Sequence, residues 1–115
     1  MNILDKIDFD YEVSENQQNL FTPYHTRFDI TICYNNKEYT TEYQCNTQYC
    51  YPEKMDVLDS LLLDKFCYDA DDFCTDGMSA SEVVRIYNAC KETSEALSNM
   101  FTEDELEALA LNIYA

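Results

Sequence analysis

Two alternating segments on either side of Asn35–Asn36 constrain the fold more than any other part of this sequence. Residues 27–34 and 38–45 each alternate apolar or aromatic with polar side chains, the two-residue period of a half-buried strand. Asparagine tolerates the positive φ that a tight hairpin turn requires. A two-residue turn pairs Phe28 with Tyr43 and places both apolar sets on one face, whereas a one-residue slip would separate them. The sequence therefore predicts a β-hairpin with this register.

The rest of the chain predicts one more strand and several helices. Residues 6–14 alternate in the same way as the hairpin strands. Helical spacing and capping signals then predict four helices, at about residues 53–66, 69–75, 80–100 and 103–113. The second of these segments is a short helix or a turn, with Asp69 as its N-cap and Gly77 as its terminator. Ser79–Glu82 and Thr102–Glu105 have the capping-box pattern at the starts of the last two helices. The buried stripe expected for the third helix comprises Val83, Ile86, Tyr87, Cys90, Leu97, Met100 and Phe101.

These elements predict an α+β fold in a single domain covering residues 1–115. It consists of a three-stranded antiparallel sheet, made of the N-terminal strand plus the β-hairpin, packed against three to four C-terminal helices. The expected strands cover about residues 6–14, 27–34 and 38–45. The N-terminus lacks signal-peptide order and no apolar run is long enough to span a membrane, so we expect a soluble, cytoplasmic protein.

A strong negative charge limits the kinds of partner. The 115 residues contain 23 acidic and 7 basic side chains, for a net charge of −16. Direct nucleic-acid binding and anionic membrane binding are excluded, since both depend on Lys and Arg. A basic protein surface is the expected partner. The alternative is that the negative charge only keeps the protein soluble.

Catalysis and metal binding have little support in the sequence. The six cysteines form no Cys-x-x-Cys pair and His25 is the one histidine, so neither a zinc site nor a Cys-His nucleophile is indicated. A calcium loop beginning at Asp69 fails, because Phe73 and Cys74 occupy its fifth and sixth positions. Gly77 is the one glycine, which excludes a glycine-rich phosphate loop. We expect a non-enzymatic protein with no cofactor, no metal and no catalytic residue.

The carboxylates of the second half of the chain are the predicted binding residues. Residues three or four apart on a helix stand about 5–6 Å apart, a length scale similar to the phosphate repeat of a nucleic-acid strand. If segment 69–76 is helical, Asp69, Asp72 and Asp76 have this spacing, and such a surface could imitate nucleic acid. The predicted acidic surface comprises Asp56, Asp59, Asp64, Asp69, Asp71, Asp72, Asp76, Glu103, Asp104, Glu105 and Glu107.

Four segments together resemble a family of small proteins encoded by bacteriophages and integrated mobile elements. They are the hairpin RFDITICYNNKEYTTEY, the segment PEKMDVLDSLL, the segment DADDFC, and VVRIYNACKE, where Tyr87 and Cys90 stand three positions apart. This family overlaps with anti-CRISPR proteins, which implies a stoichiometric inhibitor acting inside an infected bacterial cell. The chain departs from the family pattern in the loop CNTQYCYP and at Asp76-Gly77-Met78, where the family has a glycine-containing loop and a Gly-Tyr step.

The leading hypothesis is therefore an anti-CRISPR type inhibitor that binds a CRISPR effector nuclease, with a Cas9-like enzyme as the first candidate. Its acidic, nucleic-acid-mimicking surface would block the nucleic-acid groove of the target. The alternative is a non-catalytic phage accessory or assembly protein that binds another protein through aromatic loops. Tyr24, Tyr49 and Tyr51 would then carry the contact. The sequence leaves the oligomeric state open.

Overall fold

The computed structural model describes residues 2–15, 25–73 and 75–114. After a short 3₁₀-helix at Ile3–Lys6, the elements in chain order are three strands and three α-helices. They are β1 (Asp8–Val13), β2 (His25–Tyr34), β3 (Lys37–Asn46), α1 (Lys54–Ala70), α2 (Ala80–Met100) and α3 (Glu103–Tyr114). The strands form one antiparallel sheet in the order β1-β2-β3. The predicted α+β class is confirmed, with the helices C-terminal to the strands.

The β-hairpin has the register that the sequence predicts. Phe28 faces Tyr43 and Ile32 faces Tyr39 across β2 and β3. Asn35 and Asn36 have φ angles of 52° and 64°, as a two-residue turn with two left-handed residues requires. The turn chemistry and the apolar alternation thus select the same pairing.

The helix predicted at residues 69–75 is wrong. Asp69 and Ala70 form the end of α1 instead, so α1 ends four residues beyond the predicted residue 66, and residues 71–73 and 75–79 are not helical. Asp71 stops α1 in the left-handed conformation, with φ 52°. Its backbone N–H donates to the Tyr68 carbonyl (3.1 Å), and the Asp72 N–H donates to the Cys67 carbonyl (3.0 Å). This pair of bonds is a Schellman motif, which glycine usually terminates.

The predicted capping box is complete at the start of α3, and its N-cap half is formed at the start of α2. Ser79 Oγ accepts from the Glu82 backbone N–H at 3.3 Å. At α3 both halves of the box are formed: Thr102 Oγ1 accepts from the Glu105 N–H, and Glu105 Oε1 accepts from the Thr102 N–H. Gly77, with φ 78°, occupies the third position of a turn in which the Met78 N–H donates to the Thr75 carbonyl. It is a turn residue rather than a helix terminator.

The chain divides into two compact units, and the boundary lies within α1. The first, Met1–Val57, contains the sheet and the first turn of α1, and the second, Leu58–Ala115, contains the remainder of α1 with α2 and α3. In the first unit Phe28, Ile30 and Ile32 lie on one face of β2, each only 1% exposed. The predicted single-domain organisation stays a prediction.

Polar contacts also hold the first unit together. Lys54 Nζ donates to the carbonyl oxygens of Leu4 (2.9 Å) and Ile7 (2.8 Å), at the C-terminal end of the 3₁₀-helix. The Leu4 carbonyl also accepts the Ile7 backbone N–H at 3.3 Å, so the ammonium adds a charged donor there and complements the negative helix end. The start of α1 is thereby fixed to the segment that leads into β1.

The second unit has its buried residues on all three helices. They are Leu58, Leu61, Leu62, Cys90, Leu97, Met100, Phe101, Leu106 and Leu109. The buried stripe predicted for α2 is correct from Cys90 onward and wrong before it. Val83 and Ile86 are half-buried and Tyr87 is 41% exposed. The first half of α2 therefore has an apolar side that the described residues do not fully cover.

Candidate functional site

Asp69 is a predicted binding residue whose charge is compensated by a basic side chain in the structure. Its Oδ2 accepts a hydrogen bond from Lys65 Nζ at 2.7 Å, and its Oδ1 accepts one from Ser94 Oγ at 3.0 Å. Partial burial raises the pKa of Asp69, but the bonds from Lys65 and Ser94 and the Lys65 charge outweigh this, so its pKa lies below the ordinary value. Asp69 joins α1 to α2 and does not offer a free carboxylate.

Asp71, Asp72 and Asp76 are exposed but do not form a helical ladder. Asp71 and Asp72 end α1 in the Schellman motif, and Asp76 is in the turn that contains Gly77. The prediction that Asp69, Asp72 and Asp76 repeat at helical spacing is therefore wrong. The local reason is the left-handed conformation of Asp71, which redirects the chain after Ala70.

Two predicted acidic residues on α1 lie in different environments. Asp56 is exposed in the first turn of the helix, where a negative charge suits the helix dipole. Asp59 is half-buried, and its Oδ1 is a buried atom without a hydrogen-bond partner among the described residues. The Tyr114 hydroxyl donates to the Asp59 carbonyl oxygen at 3.4 Å. Burial, together with hydrogen bonding to Asp59 and its charge, raises the pKa of Tyr114 to about 12.

The acidic residues of α3 belong mainly to the start of that helix. Glu103, Asp104 and Glu105 are all in its first turn, and Glu105 is committed to the capping box. Glu103, Asp104 and Glu107 are exposed. Acidic residues at this position are stabilised by the helix dipole, which gives them a structural reason independent of any partner.

The sheet carries an acidic face that the sequence analysis missed. Successive side chains of a strand point to opposite sides of the sheet. The β1-β2 and β2-β3 registers therefore place every second residue of the three strands on the side opposite to Phe28, Ile30 and Ile32. A hydrogen bond of 3.0 Å between the Thr31 and Thr40 hydroxyls confirms that their side chains share that side. The carboxylates of this sheet face are Asp8, Asp10, Glu12, Asp29, Glu38 and Glu42.

These carboxylates form rows across the strands. The row Glu12–Asp29–Glu42 places one carboxylate on each of the three strands. Neighbouring strands lie about 4.8 Å apart, and residues two apart on a strand lie about 6.7 Å apart. Like charges facing each other across strands destabilise a sheet. The row Glu12–Asp29–Glu42 is therefore unfavourable for folding, although Arg27 lies on the same face, two residues from Asp29.

One local signal could have identified this face. Asp8, Asp10 and Glu12 alternate with Phe9 and Tyr11, which shows that they share a side of β1. Their position beside Asp29 depends on the pairing of β1 with β2, which joins segments separated by residues 14–24. The hairpin register alone aligns Asp29 with Glu42 and Cys33 with Glu38.

The predicted aromatic loop contact is partly described. Tyr49 is 80% exposed and Tyr51 is 58% exposed, in the segment between β3 and α1. The Tyr51 ring also packs against Phe28 at 6.2 Å between ring centroids, so it has a structural role as well. Tyr24 lies outside the described residues.

A groove lies between the end of α1, the segment after it and the first half of α2, all within the second unit. Its volume is about 440 Å³. The lining of this α1–α2 groove comprises Asp64, Cys67, Asp71, Asp72, Phe73, Thr75, Met78, Val83, Ile86, Tyr87 and Cys90. It contains three carboxylates, several apolar side chains and no basic residue.

Aromatic contacts form one wall of the α1–α2 groove. The Tyr87 ring lies 5.4 Å from Tyr68 and 5.8 Å from Phe73, measured between ring centroids. A hydrogen bond with Tyr87, followed by burial, raises the pKa of Tyr68. Burial also raises the pKa of Asp64, which is half-buried among these apolar groups. The groove thus combines an apolar floor with an acidic edge.

Neither metal-binding clusters nor membrane-spanning helices occur in the parts of the chain that the structure describes. There, no cluster of three or more His, Cys, Asp or Glu side chains is arranged to hold a metal ion. None of the described helices has the length and apolar character needed to cross a membrane. No protein-family model, curated protein sequence or solved structure matches this chain.

Proposed function

We propose that this protein is a non-catalytic inhibitor that occupies the basic nucleic-acid groove of a target protein with its acidic sheet face. The observation that carries the proposal is the row Glu12–Asp29–Glu42, continued on the same face by Asp8, Asp10 and Glu38. The carboxylates of that row are about 4.8 Å apart, and the three on β1 are about 6.7 Å apart, while Glu38 is separated from Asp8 by Cys33. These spacings are comparable to that of backbone phosphates, which carry one charge per 3.4 Å of axial rise on each strand.

The energetic cost of this row supports a role in binding. Two like charges about 5 Å apart repel by about 0.8 kcal/mol even at the dielectric constant of water. A basic groove on a partner would turn this repulsion into attraction, and opposite fields would also accelerate the encounter. Binding to such a groove would exclude nucleic acid, since both ligands need the same Lys and Arg side chains.

The second unit supports the same kind of partner. It carries thirteen acidic and three basic residues, and one of the three, Lys65, is buried and paired with Asp69. Twelve acidic residues and two basic ones, Arg85 and Lys91, remain when this pair is set aside. A basic target surface is therefore complementary to each unit separately.

A CRISPR effector nuclease, with a Cas9-like enzyme tested first, is the proposed target because of the sequence resemblance to phage and mobile-element proteins. The test is competition: the protein is added to the nuclease–guide complex, and binding of labelled target DNA is measured. The triple variant Asp10→Asn, Asp29→Asn, Glu42→Gln should inhibit at least about tenfold less well. A matched triple on α3, Glu103→Gln, Asp104→Asn, Glu107→Gln, has the same net charge and should retain inhibition.

The outcome of this comparison decides the mechanism. Equal loss in both triples would mean that net charge matters and the sheet face does not. Full inhibition by the sheet-face triple would contradict nucleic-acid mimicry by this face. Inhibition by the unmodified protein should also weaken when the NaCl concentration is raised from about 0.1 M to about 0.4 M, because salt screens exposed charges.

A second candidate function is a phage accessory protein that binds through its aromatic loop. The exposure of Tyr49, 80%, favours it, because an exposed tyrosine is a common interface anchor. Tyr49→Ala should then abolish partner binding while the sheet-face triple retains it. A pull-down from bacterial host extract separates the two functions: a nuclease supports the inhibitor, and a virion or replication protein supports the accessory role.

A further inference from the structure

We propose that the α1–α2 groove is a docking site for a basic amphipathic helix of the partner protein. Apolar side chains of that helix would pack on the groove floor, and its Lys or Arg side chains would lie at Asp64, Asp71 and Asp72. This proposal deepens the proposed function, because it states the chemistry of a second contact with the same basic partner. It uses a surface separate from the acidic sheet face.

The uncovered side of α2 is the first argument. Val83, Ile86 and Tyr87 continue the apolar stripe that packs into the core from Cys90 onward, yet they line the open groove. A helix with an apolar stripe normally buries it against another element. Here the described residues leave part of that stripe accessible, as a surface that receives a partner helix would require.

The side chains that line the groove are of the types found at protein interfaces. Met78 is 40% exposed and Tyr87 is 41% exposed, and both line the groove together with Phe73. Methionine and aromatic residues are enriched in interface cores, and methionine adapts its shape to different partners. The face of an exposed tyrosine ring can also attract an Arg or Lys side chain.

The three carboxylates determine the charge of the occupant. Asp64 has no hydrogen bond or ion pair with any described residue, although it is half-buried beside Cys67 and Cys90. Burial raises the pKa of Asp64, as expected for a carboxylate in apolar surroundings without a cation. A lysine or arginine from a partner would supply that cation. Asp71 and Asp72 are exposed at the same groove and would interact with further basic residues.

Charge also selects between possible occupants. A second copy of the chain carries a net charge of −16, so its approach to this acidic groove is opposed by repulsion. A volume of about 440 Å³ falls within the range of about 300–1000 Å³ that accommodates ligand groups, enough for several side chains of a helix. A basic amphipathic helix matches both the apolar floor and the acidic edge.

Three labelled peptides of about 18 residues, or about 27 Å of helix, test the proposal. One has leucines on one face and lysines on the other, the second replaces lysine by glutamate, and the third replaces leucine by serine. Fluorescence anisotropy with the full chain should show binding of the Leu/Lys peptide alone. The variants Met78→Glu and Asp64→Asn should weaken it about tenfold, whereas Val84→Glu, exposed on α2 and outside the groove lining, should not.

A chemical footprint locates the bound peptide. Cys67 is exposed and lines the groove, and Cys50 is exposed in the first unit. The Leu/Lys peptide should slow iodoacetamide alkylation of Cys67 and leave alkylation of Cys50 unchanged, with both sites quantified by mass spectrometry. Circular dichroism should show that each variant retains its helical content, and Asp64→Asn is close to isosteric in case Met78→Glu perturbs the fold.

Three results would overturn the docking site. The first is no binding of the Leu/Lys peptide, and the second is equal binding of the Ser/Lys peptide. The third is binding that does not protect Cys67 and does not depend on Met78 or Asp64. None of them affects the competition assay with the sheet-face triple, so the docking site can fail while the inhibitor function stands. Conversely, peptide binding with no inhibition of any nuclease would retain the groove and remove the proposed function.

Discussion

Lys65 Nζ lies 2.7 Å from Asp69 Oδ2, and this pair uses one of the second unit's three basic side chains internally. The lysine side chain is 11% exposed and the aspartate side chain is 47% exposed. Ser94 Oγ on α2 donates to the other carboxylate oxygen, so the pair also connects two helices. The arrangement removes a positive charge from the surface of the second unit.

Replacement of Asp69 by asparagine should lower stability by about 1 kcal/mol at neutral pH, because the charged bond to the buried Lys65 is lost. The pKa of Asp69 is lower in the folded protein than its ordinary value of 3.8. Its contribution is therefore present above that value and is lost as the pH falls through the lowered pKa. Urea unfolding of both proteins as a function of pH should show the difference disappearing in acid.

The matched control for this substitution is Asp76→Asn, which removes an exposed aspartate from a turn. It should change the free energy of unfolding by less than about 0.5 kcal/mol. An equal effect of the two substitutions would mean that net charge, rather than the bond to Lys65, determines the stability difference.

Replacement of Asp29 by asparagine should raise stability by about 0.2–1 kcal/mol at low ionic strength. Asp29 stands between Glu12 and Glu42 in the sheet register, and removing the central charge relieves repulsion on both sides. The gain should shrink with added salt. Asp104→Asn removes the same charge from the first turn of α3 and should lower stability, so thermal unfolding of the two variants should shift in opposite directions.

Replacement of Asp71 by glycine should raise the free energy of unfolding by about 0.5–1 kcal/mol. Asp71 has φ 52° at the position after α1 where glycine avoids the left-handed penalty. Gly77→Ala should have the opposite effect, because its φ is 78° even though nothing lies within 4 Å of an added Cβ. Denaturant midpoints measure both effects, and stabilisation by Gly77→Ala would contradict the turn geometry.

Replacement of Tyr114 by phenylalanine should make stability less sensitive to alkaline pH. Burial and the contact with Asp59 raise the pKa of Tyr114 to about 12, above the ordinary value of 10.0. Between these values the folded state holds a proton that the unfolded state has lost, so stability falls as the pH rises through this interval. Melting temperatures measured from pH 9 to 11 should decline less steeply for Tyr114→Phe than for the unmodified protein.

Local sequence patterns predicted those elements whose signals lie close together along the chain. Each of these signals depends on residues that are close together in sequence. They are the Asn35–Asn36 turn, the hairpin register and the Thr102 capping box. The prediction of a helix at 69–75 is wrong because Asp69 fits the sequence pattern of an N-cap, whereas in the structure it lies in the last turn of α1. Its actual partners, Lys65 and Ser94, include one that is 25 residues away.

The candidate site shows the same division between local and distant information. The predicted acidic residues were selected for density along the sequence, and Asp69 proved to be paired and Glu105 to be a capping residue. The sheet face was missed because Glu12 and Asp29 are adjacent only after β1 pairs with β2. The groove was missed because the apolar residues at the start of α2 have the pattern of a core stripe.

The sequence by itself determined the α+β class, the hairpin, the helix starts at Ala80 and Glu103, and the net charge of −16, since each follows from composition or from short-range patterns. Only the tertiary structure decided which charged side chains have a neighbour of opposite charge and which have neighbours of the same charge. That depends on the pairing of β1 with β2 and of Asp69 with Ser94, contacts between residues distant in sequence. A charge acts through space, so its role is set by the neighbours that folding brings to it.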